Sequence, residues 1–238
     1  MYDLIIVGAG PAGTTAALYA ERNNLNCIIV DKATFPRDKI CGDALSGKSV
    51  RIFDELNLTK EIEQLEGSEI NRITFGGPNH KHFDVHLKGN KRNNYITKGF
   101  VIPRKVFDYF LFKKAKEVTE ILEGFKVKDL IYKNGKPVGI KGVNSKGDQQ
   151  IIEAPIILGC DGAHSIISRK LDAYKKDMEH TAVAIRCYYE GVEGLSNQIE
   201  LHYIREVKPG YFWLFPAGGS KANIGIGLSK NDAKKEDR

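Results

Sequence analysis

Three stretches of this chain carry residues whose type and spacing could do chemistry. The first is Gly8-Ala9-Gly10-Pro11-Ala12-Gly13, which fits G-x-G-x-x-G. It follows an apolar run, opens an alanine-rich stretch, and is followed by an acid, Asp31, 18 residues after Gly13 at the end of the next apolar run. In that setting Gly8 makes the tight turn, Gly10 lets backbone amides approach a pyrophosphate, and Gly13 lets a helix pack against a strand. The helix N-terminus adds the positive end of its dipole, and Asp31 offers its carboxylate to a ribose. Motif and context together point to a dinucleotide and leave FAD and NAD both open.

The second stretch is "FPRDKICGDALSG", in which Arg37 and Lys39 precede Cys41 and Gly42. A thiol beside cations can have a lowered pKa and shuttle a proton; the other reading is a cysteine that simply fits its loop. The third is "YFWLFP". In a strand, Tyr211, Trp213 and Phe215 point to one face while Phe212 and Leu214 point to the other. One face can then pack on a core and the other line a cavity, or both can be core.

The elements that must position these groups follow from periodicity. "YDLIIV", the helix former-rich residues 12–22 and "NCIIVD" read as strand, helix, strand, with Asn23 and Asn24 where the helix must stop. From Glu69, "INRITFGG" and "HKHFDVHLKG" alternate as antiparallel strands outside that first sheet. Residues 103–118 return to helical spacing, with Val106, Phe107, Phe110 and Leu111 on one face. Next comes a three-stranded meander with turns at Asn134-Gly135 and Lys146-Gly147-Asp148. "PIILGCDGAHS" reads as a buried strand ending in a turn, followed by the helix "IISRKLD"; from His180 on the chain alternates as strands, and "KNDAKKEDR" is a polar tail.

Composition bounds the class. Of 238 residues, 42% are hydrophobic and 28% charged, the balance of a globular protein. Cys27, Cys41, Cys160 and Cys187 are scattered without a C-x-x-C pair, which argues against a zinc site or a disulfide framework, so no metal is expected. A formal charge of +6 favours anionic partners without naming one. No apolar run reaches the roughly 18 to 20 residues of a spanning helix, and "LIIVGAG" lacks the flanks of a signal peptide. A cytoplasmic protein is expected, with peripheral contact at the inner membrane face left open.

"GAGPAG" with "VDK", then "RDKICGDALS", "IPRKVFDYFL", "GCDGAHS" and "YFWLFP", occur in the order found in the geranylgeranyl reductase family of flavoproteins, within the wider hydroxylase-type FAD superfamily, which the chain resembles over nearly its whole length. The resemblance implies an α/β fold: a Rossmann-like FAD-binding domain (βαβ with three-stranded meander) at 1–66 and 96–177, plus an antiparallel β-sheet substrate domain at 67–95 and 178–238. It implies FAD as cofactor, held by Gly8, Gly10, Pro11, Ala12 and Gly13 at the pyrophosphate and by Asp31 at the ribose, with Lys32 a further cofactor contact. Arg37, Cys41 and Gly42 would lie near the flavin, with Cys41 as the candidate catalytic residue. Arg104 would reach the cofactor from a helix start, Val127 would meet the adenine through its backbone, and Asp161 and Gly162 would form the second fingerprint beside the pyrophosphate. Tyr211, Trp213, Phe215 and Pro216 would face a polyprenyl substrate. Ala44 departs from the family's Cys-Gly-x-Gly form, which puts the backbone of that loop in doubt.

The implied activity is saturation of double bonds in a polyprenyl (geranylgeranyl-type) lipid or quinone, with electrons from NADPH or a reduced carrier and no nucleic acid involved. The rivals are an aromatic-ring monooxygenase, a quinone-linked dehydrogenase, and an inactive nucleotide-binding fragment. The last arises because the family's third motif, a Gly-Asp pair opening a long helix, is absent after Phe215. The expectation is that these residues correspond to the N-terminal portion of a longer enzyme and alone bind FAD weakly and lack activity.

Overall fold

The computed structural model describes residues 1–87, 98–173, 181–207 and 209–229. In chain order its elements are β1 (Leu4–Val7), α1 (Pro11–Arg22), β2 (Cys27–Asp31), β3 (Ala44–Leu45), α2 (Gly47–Glu55), α3 (Thr59–Ile62), β4 (Ser68–Ile70), β5 (Arg72–Gly76), β6 (His82–His86) and β7 (Gly99–Val101). Then follow α4 (Arg104–Val118), β8 (Glu120–Glu123), β9 (Lys126–Lys133), β10 (Lys136–Val143), β11 (Gln149–Glu153), β12 (Ile156–Gly159), α5 (Ile166–Lys170), β13 (Ala182–Tyr189), β14 (Gln198–His202), β15 (Tyr211–Pro216) and β16 (Ala222–Ser229). Two compact units result: Met1–Asp38 with Asp108–Lys175, and Lys39–Phe107 with Lys176–Arg238. The polar tail at 230–238 and the expected boundaries at 95/96 and 177/178 lie outside the described residues.

In the first unit a parallel sheet has the order β12-β1-β2-β8. Its alternating side chains feed two cores. Ile5, Val7, Ile28 and Val30 pack with Phe125, Leu130 and Ile140 of the meander side, while Ile6 and Ile29 pack with Ala17, Ala20, Phe112 and Ala115 of the helices. Strands covered on both faces read as continuous apolar runs, as these do, and each fully buried isoleucine contributes about 1.5–3 kcal/mol. The meander order is β11-β10-β9. Asn134 and Gly135 sit at φ 51° and 75°, the pair of left-handed residues a type I′ hairpin needs. Asn24, at φ 56°, turns the chain out of α1.

One strand differs from expectation. β12 was expected to be buried, yet Ile156 is 57% exposed. It is the edge strand of the sheet, and only Ile157 packs on the meander-side core; the helices cover the centre of the other face. An apolar run alone does not distinguish a central strand from an edge strand.

In the second unit β7 pairs with both β3 and β4. That small sheet is the reason residues 39–66 and 98–107, expected with the cofactor domain, group with the second unit. Its large sheet has the order β13-β16-β15-β14-β5-β6. It is mixed rather than purely antiparallel, because β14 runs parallel to β5.

Candidate functional site

In the first unit the glycine loop is closed by backbone. Gly8, at φ 110°, would place a Cβ 2.4 Å from the Cys160 carbonyl oxygen, and a Cβ on Gly13 would lie 1.8 Å from the Gly8 oxygen. Neither position tolerates a side chain. Gly10 is different: its Cβ would meet only the Arg37 Nη2 atom, at 3.4 Å. Gly10 also caps α1 without a side-chain bond, Pro11 follows it at the first helical position, Ala12 comes next, and the first turn holds no acid. The helix start is therefore left to an anion rather than to a capping side chain.

Asp31 ties this loop to the strand end. Its Oδ2 accepts from the Ala9 amide at 2.7 Å and its Oδ1 from the Ala33 amide at 2.8 Å. A carboxylate oxygen has a second lone pair, so these bonds leave room for a ribose hydroxyl. Lys32 beside it is exposed. Arg37 is anchored by Asp108, with Nη1 2.8 Å from Oδ2; the Asp108 side chain is 0% exposed. The guanidinium also lies over the Phe35 ring at 4.8 Å, and Phe35 stacks on Phe112 at 4.5 Å. Asp108 was missed by the sequence reading; an acid on the apolar side of an amphipathic helix was the available signal.

Asp161 bonds the Ile166 amide through Oδ2 at 2.6 Å, while Ser165 caps α5 by accepting from the Ser168 amide. The other Asp161 oxygen, Oδ1, is buried with no hydrogen-bond partner among the described residues. Gly162, at φ 77°, has open space where a Cβ would point. Beside them burial, and then the Asp161 charge, push the Cys160 thiol up. Val127 lies in β9, the edge strand of the meander, with its side chain in the core. The loop, Asp31, Arg37 and the Cys160–Asp161 backbone thus surround one place in this unit. An uncapped helix start, a guanidinium, glycines packed against backbone and an orphan carboxylate oxygen fit a pyrophosphate-bearing cofactor with hydroxyl groups.

In the second unit the cysteine loop lies on the aromatic strand. A Cβ on Gly42 would sit 2.9 Å from Phe215 and 3.7 Å from the Trp213 nitrogen. Trp213 and Phe215 are each 7% exposed and pack with Ile70, Val101 and Ala217. They were expected to line a cavity; the side of β15 that they occupy is filled by the Cys-Gly turn and this core. Tyr211 is exposed at one end and Pro216 buried at the other. The indole lies across Gly225, whose Cβ would be 2.1 Å from it. Arg104 opens α4, and its backbone amide reaches the Asp43 carboxyl.

The loop's left-handed residue is Asp43, at φ 67°, immediately before Ala44. Asp43 and Asn223, both missed by the sequence reading, are fully buried beside the turn. For Asn223 the signal was a polar side chain on a strand face otherwise made of glycine and facing aromatics.

Register carries this face across the sheet. Arg186, Gly225, Trp213, Leu201, Phe75 and Phe83 stand opposite one another on successive strands. The row runs from polar to apolar and ends on Phe83, which is 62% exposed and stacked on Phe75 at 5.2 Å. The opposite face of β5, β6 and β14 is polar and lines a cavity of about 600 Å³ with Arg72, Thr74, His82, Asp84, Glu200 and His202.

Residues 1–237 match the FAD-binding domain family. The chain belongs to that family. Its cofactor is FAD, which the first-unit geometry fits. Among curated proteins it is 31% identical over 245 residues to menaquinone reductase of Mycobacterium tuberculosis, covering 99% of this chain and 57% of that protein. It is 30% identical over 237 residues to digeranylgeranylglycerophospholipid reductase of Methanococcus vannielii, covering 98% and 57%. The chain thus spans little more than half the length of these relatives. Among solved structures, a geranylgeranyl bacteriochlorophyll reductase-like protein from Thermoplasma acidophilum superposes with a TM-score of 0.82 at 24% identity, covering 97% of this chain and 57% of that one. That likeness shows the shared fold. No helix among the described residues is long and apolar enough to cross a membrane.

Proposed function

We propose that this chain belongs to a flavin-dependent reductase that saturates double bonds in a polyprenyl lipid or the prenyl side chain of a quinone. The observation that carries the reading is the graded face of the large sheet. A Cys-Gly turn sits at its polar end on Trp213 and Phe215, and an apolar row continues to exposed Phe83. A prenyl chain offers methyls and double bonds and no hydrogen-bonding groups, so it must be held by area, at about 25 cal/mol per Å² of apolar surface removed from water. The polar cavity on the other face does not suit such a chain. The two relatives named as reductases of a menaquinone and of a digeranylgeranyl lipid support the same substrate class.

When bound and reduced, FAD supplies the electron pair for the saturation. Gly8 to Gly13, Asp31, Arg37, Asp161 and Gly162 hold and orient it, while Arg104, Val127 and Lys32 are proposed contacts on its remaining parts. Cys41 is proposed to hold the proton that the second carbon needs. The apolar row orients the prenyl chain and excludes water. The biological donor is proposed to be NADPH or a reduced carrier, and the basic charge supports peripheral contact with an anionic membrane face where prenyl lipids reside.

The test is anaerobic incubation of the FAD-loaded protein, both as this chain and extended to the length of its relatives, reduced with dithionite, with a geranylgeranyl lipid and with a menaquinone. Mass spectrometry should show the gain of two hydrogens per reduced double bond. Unchanged substrate under these conditions, with oxygen-dependent hydroxylation of an aromatic compound instead, would overturn the reading in favour of a monooxygenase.

A further inference from the structure

The sequence motifs do not single out Asp43, yet the structure builds the cysteine turn around it. The residue is 1% exposed. Oδ2 accepts from the Tyr188 hydroxyl at 2.5 Å and from Asn223 Nδ2 at 2.6 Å. The same Asn223 Nδ2 donates to the Cys41 carbonyl at 2.8 Å, and Asn223 Oδ1 accepts from Trp213 Nε1 at 3.0 Å. Four side chains from three strands and the loop therefore close on one point. Asp43 Oδ1, in contrast, is buried with no hydrogen-bond partner among the described residues.

That asymmetry suits a neutral acid. In a neutral acid one oxygen is carbonyl-like and accepts, as Oδ2 does twice, and the other carries the proton. An ionised carboxylate would leave a charged oxygen buried with no hydrogen-bond partner among the described residues, which the nearby Arg104 amide and Arg186 charge offset only in part. The groups facing the carboxyl are Tyr188 and Arg186 from β13, Asn223 from β16, the Arg104 amide from the start of α4, and the loop itself, where the Lys39 carbonyl accepts from Arg186 Nη2 at 3.2 Å. Burial pushes the Asp43 carboxyl up, and the Tyr188 and Asn223 bonds, the Arg186 charge and the Arg104 amide pull against it without cancelling it.

We propose that Asp43 is a protonation-dependent positioning residue: as a neutral acid it joins Tyr188 to Asn223, and through Asn223 it holds the Cys41 carbonyl and the Trp213 indole in one arrangement. Ionisation strengthens the pull on Tyr188 and Asn223 and leaves Oδ1 charged, so the turn shifts. Its bearing on catalysis rests on the reductase reading above; the network itself does not.

Trp213 is the single tryptophan of the chain, so emission excited beyond the tyrosine band reports on the surroundings of this one indole. The experiment records emission of the purified chain, at constant flavin content, from about pH 4 to about pH 9. Wild type should show one transition with a midpoint above the ordinary carboxylate range, and Asp43→Asn should lack it. Tyr188→Phe removes a donor that favours the charged form, so its midpoint should move to higher pH. A flat wild-type curve, the same transition in Asp43→Asn, or an unmoved midpoint in Tyr188→Phe would overturn the proposal, and the last of these needs only the milder variant to fold. In parallel, peptide-level alkylation at fixed pH should be several-fold faster at Cys41 in Asp43→Asn, with exposed Cys187 as internal reference. Equal Cys41 rates in the two proteins count against it. None of these readouts needs turnover or a prenyl substrate, so a failed reductase assay leaves them standing.

Discussion

Around the glycine loop, the atoms that forbid side chains are backbone atoms: the Cys160 carbonyl over Gly8 and the Gly8 carbonyl over Gly13. Around the cysteine turn it is the Phe215 ring that lies over Gly42. Backbone against backbone cannot yield, so the first arrangement is all or nothing. Ring against backbone can relax by moving a side chain, so the second should fail in increments. The first is built on one local motif, with the Cys160 carbonyl coming from far along the chain, whereas the second has no local motif behind it and Asn223 reaches Cys41 and Asp43 across about 180 positions.

The sharpest test of this contrast is a pair of valines. Gly13→Val should abolish folding of the first unit, seen as lost soluble yield and a collapsed circular dichroism spectrum. Gly10→Val should fold normally and lose FAD affinity by roughly a hundredfold or more, about 2.8 kcal/mol, since only the flexible Arg37 tip is in its way. Stoichiometric flavin in folded Gly10→Val would break the assignment of the loop. Next in size, Trp213→Ala should cost about 3–5 kcal/mol in urea denaturation followed by circular dichroism, because the indole is core as well as network; a loss under about 1 kcal/mol would return it to a cavity wall. Gly42→Ala should cost about 1–3 kcal/mol, the incremental failure expected where a ring can shift, and no detectable cost would mean that the Phe215 ring moves freely.

Smaller effects refine the picture. Asp108→Asn keeps the shape but removes the charge that holds Arg37 beside Gly10, so FAD should bind about tenfold more weakly, about 1.4 kcal/mol, in a flavin fluorescence titration; unchanged affinity would detach Arg37 from the cofactor. Least in magnitude is a pH slope. An acid whose pKa is raised on folding stabilises the fold while protonated and loses that contribution as pH rises from the unfolded value through the folded one. Denaturation midpoints of wild type should therefore fall with rising pH above the ordinary aspartate range, from the Asp43 contribution, more steeply than those of Asp43→Asn.

The same contrast explains what could be read from sequence. The loop, Asp31, the meander with its Asn134-Gly135 turn and the aromatic strand are local patterns, each set by a few neighbouring residues. The βαβ unit follows from chain order, two short apolar runs flanking a helical stretch. What sequence did not yield was contact between distant segments. The Cys-Gly turn and the Tyr-x-Trp-x-Phe-Pro strand looked like separate features, and nothing local says that Gly42 packs on Phe215. Burial of β12 was misjudged because an edge strand and a central strand share one apolar pattern. Residues 39–66 were assigned to the wrong unit because the pairing of β3 and β4 with β7 joins stretches about 30 residues apart or more. Asn223, Gly225 and Gly227 share one face of β16, and two glycines with an amide there were a legible sign of a large ring lying across them.

Arg37 is held on several sides. Asp108 fixes one end of its guanidinium, Phe35 supports the plane, and Phe35 itself rests on Phe112, which stacks in turn with Tyr109 at 6.2 Å. A free arginine carries about 2 kcal/mol of rotamer entropy. Here most of that freedom is given up when the first unit folds, long before any phosphate arrives. The arginine is preorganised, and calorimetry of FAD binding should show a smaller entropic penalty in wild type than in Phe35→Ala, where the guanidinium would have to be ordered by the ligand itself.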